Sequence, residues 1–274
     1  MRSSSIVNQS IEKNDIKQNK IQESYSSNCL GEITVVGIGP GSLEDMTPRA
    51  LASIENANII VGYNTYIQLI TGLLENKKVI GTAMMQEIAR CKLAVEHAMQ
   101  GEKVAVISSG DAGVYGMAGL ILELVTKYEK TIRPNVKIVP GVSAVNAAAA
   151  ILGAPLMHDF AVISLSDLLT PWELIKKRAA YAAQGDFVIA IYNPKSAKRV
   201  TQIEEIREIL LQYKEPTTPV GIVHSATREN ERMVLSTLAD FTKEHIDMFS
   251  LIIIGNSKTY AIDNHMITPR GYQV

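Results

Sequence analysis

The residues of this 274-residue chain that could do chemistry sit mostly in glycine-rich turns. The densest is "SSGDAGVYGMAG", Ser108 to Gly119, where Asp111 and Tyr115 stand among four glycines between the apolar runs "KVAVI" and "LILELV". A plain turn needs one glycine or two, so this many imply that something approaches the backbone closely. The place is a strand's C-terminal end meeting a helix, where open α/β sheets take their ligands. A carboxylate there can accept from a ligand's hydroxyl or ammonium groups. It can equally be the N-cap of the helix that follows. Two more turns share the pattern: "VVGIGPGSLED" around Pro40, and "PGVSAVNAAAA" with Ser143 and Ala144.

The first of these turns invites a dinucleotide reading, which its residues oppose. Position 42 of the G-x-G-x-x-G frame is Ser42, and Pro40 removes an N–H from the turn that would cradle a pyrophosphate. Glu55, the nearest acid at the ribose-binding spacing, lies in a helical pattern. No Gly-Lys-Ser/Thr follows, which excludes a P-loop.

The elements that must hold these turns are legible. From Gly31 onward, strand candidates alternate with helical patterns: "EITVVGIG", "ANIIVGY", "KKVIGT", "KVAVISSG", "NVKIVPG", then "FAVISLS", "DFVIAIYN", "TPVGIVHS" and "SLIIIGN". Their nearly unbroken apolar character predicts strands buried on both faces, hence an α/β fold. Thr47-Pro48 and Thr170-Pro171 read as N-caps followed by proline at the first helical position, and Gly101 reads as a C′ glycine. The small-residue helix "GVSAVNAAAAILGAPL" ends near a linker at Gly153 to His158. The expected division is therefore a tail over 1–30, one α/β domain over 31–154 and a second over 155–274, with a cleft between the domains.

Composition narrows the setting. The chain is 46% hydrophobic with net charge −1, which leaves no electrostatic footprint for nucleic acid or an anionic membrane. Cys29 and Cys91 have no paired spacing, so no disulfide framework, zinc site or iron–sulfur cluster is expected, and no metal. No apolar run reaches a membrane span. The tail is polar, lacks an apolar signal core and is not Arg-rich, so it reads as disordered, with a short helix around Ile11 to Ile21 as the alternative. The expected compartment is the cytoplasm.

Taken in order, V-x-G-x-G-P-G, G-D-x-G-x-Y-G and P-G-x-S-A resemble the tetrapyrrole (class III) methyltransferases, from about Gly31 to the C-terminus. "VGYNTYI", "SSGDAGVYGMAG" and "IYNPKS" are similar to the branch that methylates C17 of precorrin-3B, or of its cobalt-containing counterpart, and contracts the macrocycle on the way to cobalamin. The resemblance implies two α/β domains with S-adenosylmethionine in the cleft between them, a tetrapyrrole substrate and a homodimer. It carries the cofactor contacts onto Pro40, Ser109, Gly110, Asp111, Val114, Ser143, Ala144, Asn193 and Ala226. Related members offer an acid after the second strand; this chain has Gly62-Tyr63-Asn64, so no base is carried over there.

Methyl transfer from a sulfonium asks mainly for alignment, whereas ring contraction asks for acid–base help near the macrocycle. His224, Tyr63, Tyr66 and Tyr115 are the candidates, with a satisfied structural histidine as the alternative for His224. Arg49, Lys195, Lys198, Arg199, Arg228 and Arg232 are placed to receive substrate carboxylates, or are solvated surface. Two other functions stay open: an enzyme of the same fold acting on another tetrapyrrole position, on RNA or on protein, and a non-catalytic module binding S-adenosylmethionine or a corrinoid.

Overall fold

The structure, a computed structural model, describes residues 30–273. The expected disorder of the tail, and Cys29 with it, falls on residues 1–29, outside the described residues. The chain forms two compact units: residues 30–38 with Met46–Gly141, and Gly39–Asp45 with residues 142–273.

The first unit runs β1 (Glu32–Gly37), α1 (Pro48–Glu55), β2 (Ile59–Tyr63), α2 (Asn64–Gln68), β3 (Lys78–Thr82), α3 (Glu87–Met99), β4 (Lys103–Ser108), α4 (Ala118–Val125) and β5 (Asn135–Val139). Its strands form one sheet in the order β3-β2-β4-β1-β5, every neighbouring pair parallel. Side chains alternate along each strand, so β1 sends Ile33 and Val35 to one face and Val36 to the other. Helices α3 and α4 cover the first face through Cys91, Ala94, Val95 and Ile121, and α1 covers the second through Ala50 and Ile54. A sheet sandwiched this way explains the continuous apolar runs.

The local signals act as expected here. Thr47 accepts the Ala50 N–H at 3.1 Å with Pro48 opening α1. Gly101, at φ 91°, ends α3: its N–H meets the Ala98 carbonyl and Glu102 N–H meets that of His97, the paired bonds of a Schellman stop.

The second unit contains α5 (Ala144–Leu152), β6 (Gly153–Ala154), β7 (Phe160–Ser164), α6 (Trp172–Gln184), β8 (Val188–Tyr192), α7 (Gln202–Leu210), β9 (Pro219–His224), β10 (Arg232–Thr237), β11 (Ser250–Ile254), β12 (Tyr260–Ile262) and β13 (His265–Ile267). The main sheet is mixed, ordered β10-β9-β11-β8-β7. Strand β11 is antiparallel to both β8 and β9, while β7 is parallel to β8. Strands β7, β8 and β9 therefore end on one edge. Helices α6 and α7 bury Ile175, Ala179, Ile203 and Ile206 on one face, and α5 buries Val145, Ala148 and Leu152 on the other.

Three sequence expectations need correcting. The units divide at Gly141/Val142 rather than at 154/155, because α5 packs on β9 and β11 instead of closing the first unit. Thr170 does not cap α6: Pro171 takes the cap position with ψ 135°, and no side-chain bond forms there. Strands β6, β10, β12 and β13 were not expected; two or three residues, or an edge strand half-open to solvent, leave little apolar signal.

Candidate functional site

In a wholly parallel sheet all C-terminal strand ends share one edge. In the first unit that edge gathers Gly37, Tyr63, the Ser108–Gly119 turn and Gly141. The turns touch through bare backbone: a Cβ on Gly141 would overlap the Gly110 carbonyl oxygen and stand 2.6 Å from that of Gly37. Gly110 itself sits at φ 66°, in the left-handed region.

Asp111 holds these turns together. Its Oδ1 accepts the Gly113 N–H at 2.8 Å, and its Oδ2 accepts the Gly141 N–H at 3.0 Å. One of the two sequence expectations for this side chain changes. It does not cap α4, whose N-cap is Met117. Each of its oxygens is already engaged by a main-chain amide of its own unit, so it acts first as a brace between two turns. Gly113 differs from its neighbours. A Cβ there would meet only Asp111 Oδ1, at 3.3 Å, so the chain's own packing does not demand glycine. That leaves space beside exposed Val114 and Tyr115, the latter held at φ 54°.

Tyr63, closing β2, packs edge-on against Tyr66 with ring centroids 5.1 Å apart. Beside it lies a residue that sequence reasoning missed. Arg90 is buried in α3, donates from Nε to Thr82 Oγ1 at 2.7 Å and from its terminal nitrogen to the Ala83 carbonyl, and stands 5.9 Å from the Tyr63 ring. Its signal was a charge in register with the apolar stripe of Ala94 and Ala98. Next to it, burial pushes the Cys91 thiol up to about 11, which leaves it inert at neutral pH.

The second unit builds its edge from side chains. Ser143 is buried as the N-cap of α5, Ala144 follows, and the Val145 N–H donates to the Tyr192 hydroxyl at 2.9 Å. This bond ties the start of α5 to the end of β8. Asn193, one residue on, takes φ 51° and donates to Ser164 Oγ at 3.0 Å. Two residues past the end of β9, Ala226 packs on the α5 core.

The segment Gly39–Asp45 belongs to this unit for a visible reason. Ser42 N–H donates to Thr227 Oγ1 at 3.1 Å, and Arg228 Nε donates to the Pro40 carbonyl at 2.9 Å. Thus the turn carrying Pro40, the residues after β9 and the start of α5 lie together.

His224 ends β9 with Nε2 3.0 Å from Asp247 Oδ2. Burial raises the Asp247 pKa, but the Phe249 N–H and His224 outweigh it and hold the carboxyl below its usual range. Asp247 and its neighbour His245 were also missed; they precede β11, far from His224 in sequence.

The expected cations divide. Arg49, Lys198 and Arg232 are exposed and Lys195 is half-buried. Arg199 is not surface: it is buried, donates to the Asn193 carbonyl at 2.8 Å and pairs with Asp167 at 3.6 Å, holding the turn after β8. Arg228 Nε is likewise committed to Pro40. A cavity of about 570 Å³, lined by Glu55, Asn58, Glu75, Lys78 and Glu102, opens at the opposite, N-terminal end of β2 and β3, away from the turns.

The chain has relatives among known proteins. The family model of the tetrapyrrole (corrin/porphyrin) methylases matches residues 32–242, and the chain belongs to that family. Among its relatives, the cobalt-factor III methyltransferase of Priestia megaterium is 51% identical over 245 residues, 89% of this chain but only 45% of that protein. The probable cobalt-factor III C(17)-methyltransferase of Salmonella typhimurium is 51% identical over 240 residues, 88% of this chain and 99% of its own length. The crystal structure of the methyltransferase CobJ superposes with a TM-score of 0.83 at 37% identity, covering 87% of this chain and all of that one. This chain thus spans less than half of the first relative and almost the whole of the second. Among the described residues, no helix is long and apolar enough to cross a membrane.

Proposed function

We propose that this protein transfers a methyl group from S-adenosylmethionine to C17 of cobalt-factor III, or of its metal-free counterpart precorrin-3B, with contraction of the macrocycle. The observation that carries this is the 51% identity to the Salmonella protein across 99% of that protein's length. The site's chemistry agrees. A sulfonium brings its own leaving group, so the chain need only bind and align, for which proximity supplies roughly 7–11 kcal/mol.

The open ground at Gly113 fits a cofactor laid against main chain. In this assignment Ser109, Gly110 and Val114 offer backbone, Asp111 keeps that backbone in shape, and Pro40, Ser143, Ala144, Asn193 and Ala226 supply the second unit's share. Exposed Arg49 and half-buried Lys195 are the proposed carboxylate partners, and Arg228 adds its charge beside Pro40. Tyr63, Tyr115 and His224 are the hydroxyl and imidazole groups assigned to proton transfer. A cytoplasmic homodimer completes the assignment; the sparse cysteines support the compartment and the family resemblance supports the dimer.

The test is incubation with S-adenosylmethionine and cobalt-factor III, followed by mass spectrometry and NMR of the product. One added methyl group at C17 is expected. Methylation at another ring carbon, or cofactor binding without turnover, would overturn the assignment.

A further inference from the structure

The second unit gathers a nitrogen–nitrogen–oxygen donor set that no sequence motif announces, and we propose that it binds a divalent transition-metal ion. One donor atom each from His224, His245 and Asp247 lies within 4.8 Å of the others. Asp247 Oδ2 is 3.0 Å from His224 Nε2 and 3.6 Å from His245 Nε2. Ligands on a tetrahedral ion with bonds of roughly 2.0–2.1 Å stand about 3.3 Å apart, between those two separations.

The surroundings orient the donors as outer partners orient metal ligands. Asp247 Oδ1 accepts the Phe249 N–H at 2.8 Å and lies 3.1 Å from Ser250 Oγ, which turns Oδ2 toward the histidines. His224 Nδ1 faces the Asn230 carbonyl at 3.4 Å. A ring N–H given to a carbonyl leaves Nε2 with its lone pair, the form a metal takes. In the tautomer that instead gives Nε2–H to Asp247 at 3.0 Å, an arriving ion takes the place of that proton.

Side-chain exposure rises from 20% at His224 through 33% at Asp247 to 75% at His245, so an ion enters from the His245 side. Imidazole with carboxylate suits Zn²⁺, Co²⁺ or Ni²⁺. Three protein ligands leave a position for water or a carboxylate of a bound molecule. The competing account is a plain His224–Asp247 hydrogen bond with His245 as a bystander. The proposal rests on this cluster alone; an ion on Nε2 would withdraw His224 from proton transfer and leave that step to Tyr63 and Tyr115.

The test uses the full-length chain without a histidine tag, stripped with chelator and titrated with aqueous Co²⁺ and with Zn²⁺. Calorimetry and the Co²⁺ visible spectrum should show one equivalent bound in a low-coordinate nitrogen/oxygen site, with a raised melting temperature. His245→Ala, at an exposed side chain, should keep the fold and weaken binding by at least about 100-fold, beyond the 10- to 100-fold of losing an outer partner. His245→Cys, which restores a ligand, should recover binding and add a sulfur-to-cobalt absorption. No Co²⁺ binding by the wild-type chain, or equal binding by His245→Ala, overturns the proposal.

Discussion

At the edge of the parallel sheet, contacts run from main chain to main chain: Gly141 against the carbonyls of Gly37 and Gly110, with Asp111 accepting amides from both sides of the gap. At the edge of the mixed sheet they run from side chain to side chain or to backbone: Tyr192 to Val145, Asn193 to Ser164, Arg228 to Pro40, His224 to Asp247. At Gly141 the first edge tolerates almost no added atom, since backbone cannot rotate away. The second distributes its hold over several side chains, and each can be removed without placing one backbone inside another. The two edges should therefore fail differently when mutated.

The largest effect is expected at Gly141. A branched side chain there must displace the Gly110 and Gly37 carbonyls, and both belong to turns fixed by the sheet. Gly141→Val should cost about 3 kcal/mol or more, the upper end of overpacking, measured as a shift in the denaturation midpoint. Gly113→Ala, where space is open, should leave stability within about 0.5 kcal/mol while weakening S-adenosylmethionine. Equal stability losses in the two variants would erase the distinction between glycines that serve the fold and glycines that leave room.

Asp111→Asn comes next. Asparagine keeps one acceptor oxygen and places an NH₂ against the amide of Gly113 or Gly141. Losing one charge-assisted bond of this kind costs about 1.5–3 kcal/mol. Cofactor affinity should fall along with stability, because the turns lose their brace. A variant as stable as wild type would show that the brace is not needed.

How much could be read in advance follows the same division. The first edge was legible because close backbone approach and a positive φ leave glycine as the residue that fits, so Gly110 and Gly141 marked their turns in the sequence. Thr47 and Gly101 were legible for a related reason, since caps obey local geometry. Thr170 shows the limit: Thr-Pro is a cap signal only if the helix starts at the proline, and here it starts one residue later. The second edge was only half legible. His224, Asn193 and Ala226 came from position after a strand or from family resemblance, but Asp247 and His245 reach His224 only because β9 and β11 pair with Ser250 opposite His224. Arg199 and Arg228 read as carboxylate receivers or surface charge because their carbonyl partners, Asn193 and Pro40, are backbone groups that carry no residue-type signal.

The smallest effect sharpens the comparison on the side-chain side. Asp186, after α6, accepts from Ser257 N–H at 2.9 Å and Ser257 Oγ at 2.6 Å, and lies 3.5 Å from the buried Lys214 ammonium. Burial raises its pKa, but the two Ser257 bonds and Lys214 outweigh that, so the carboxyl titrates below its ordinary value of 3.8. The unfolded chain then binds the proton more readily than the folded one. The carboxylate's contribution is fully present above 3.8 and is lost as pH falls through that value toward the folded pKa. Asp186→Asn keeps the shape and tolerates the residue's φ of 56°, yet cannot titrate. It should be less stable than wild type near neutrality, and the gap should close as pH falls below about 4. The side chain is 46% exposed, so solvent screening holds the gap under about 1 kcal/mol. Denaturation midpoints of both proteins from about pH 7 to about pH 3 would measure it. A gap constant across that range would mean that the charge contributes nothing and that only the hydrogen-bond geometry at Ser257 matters.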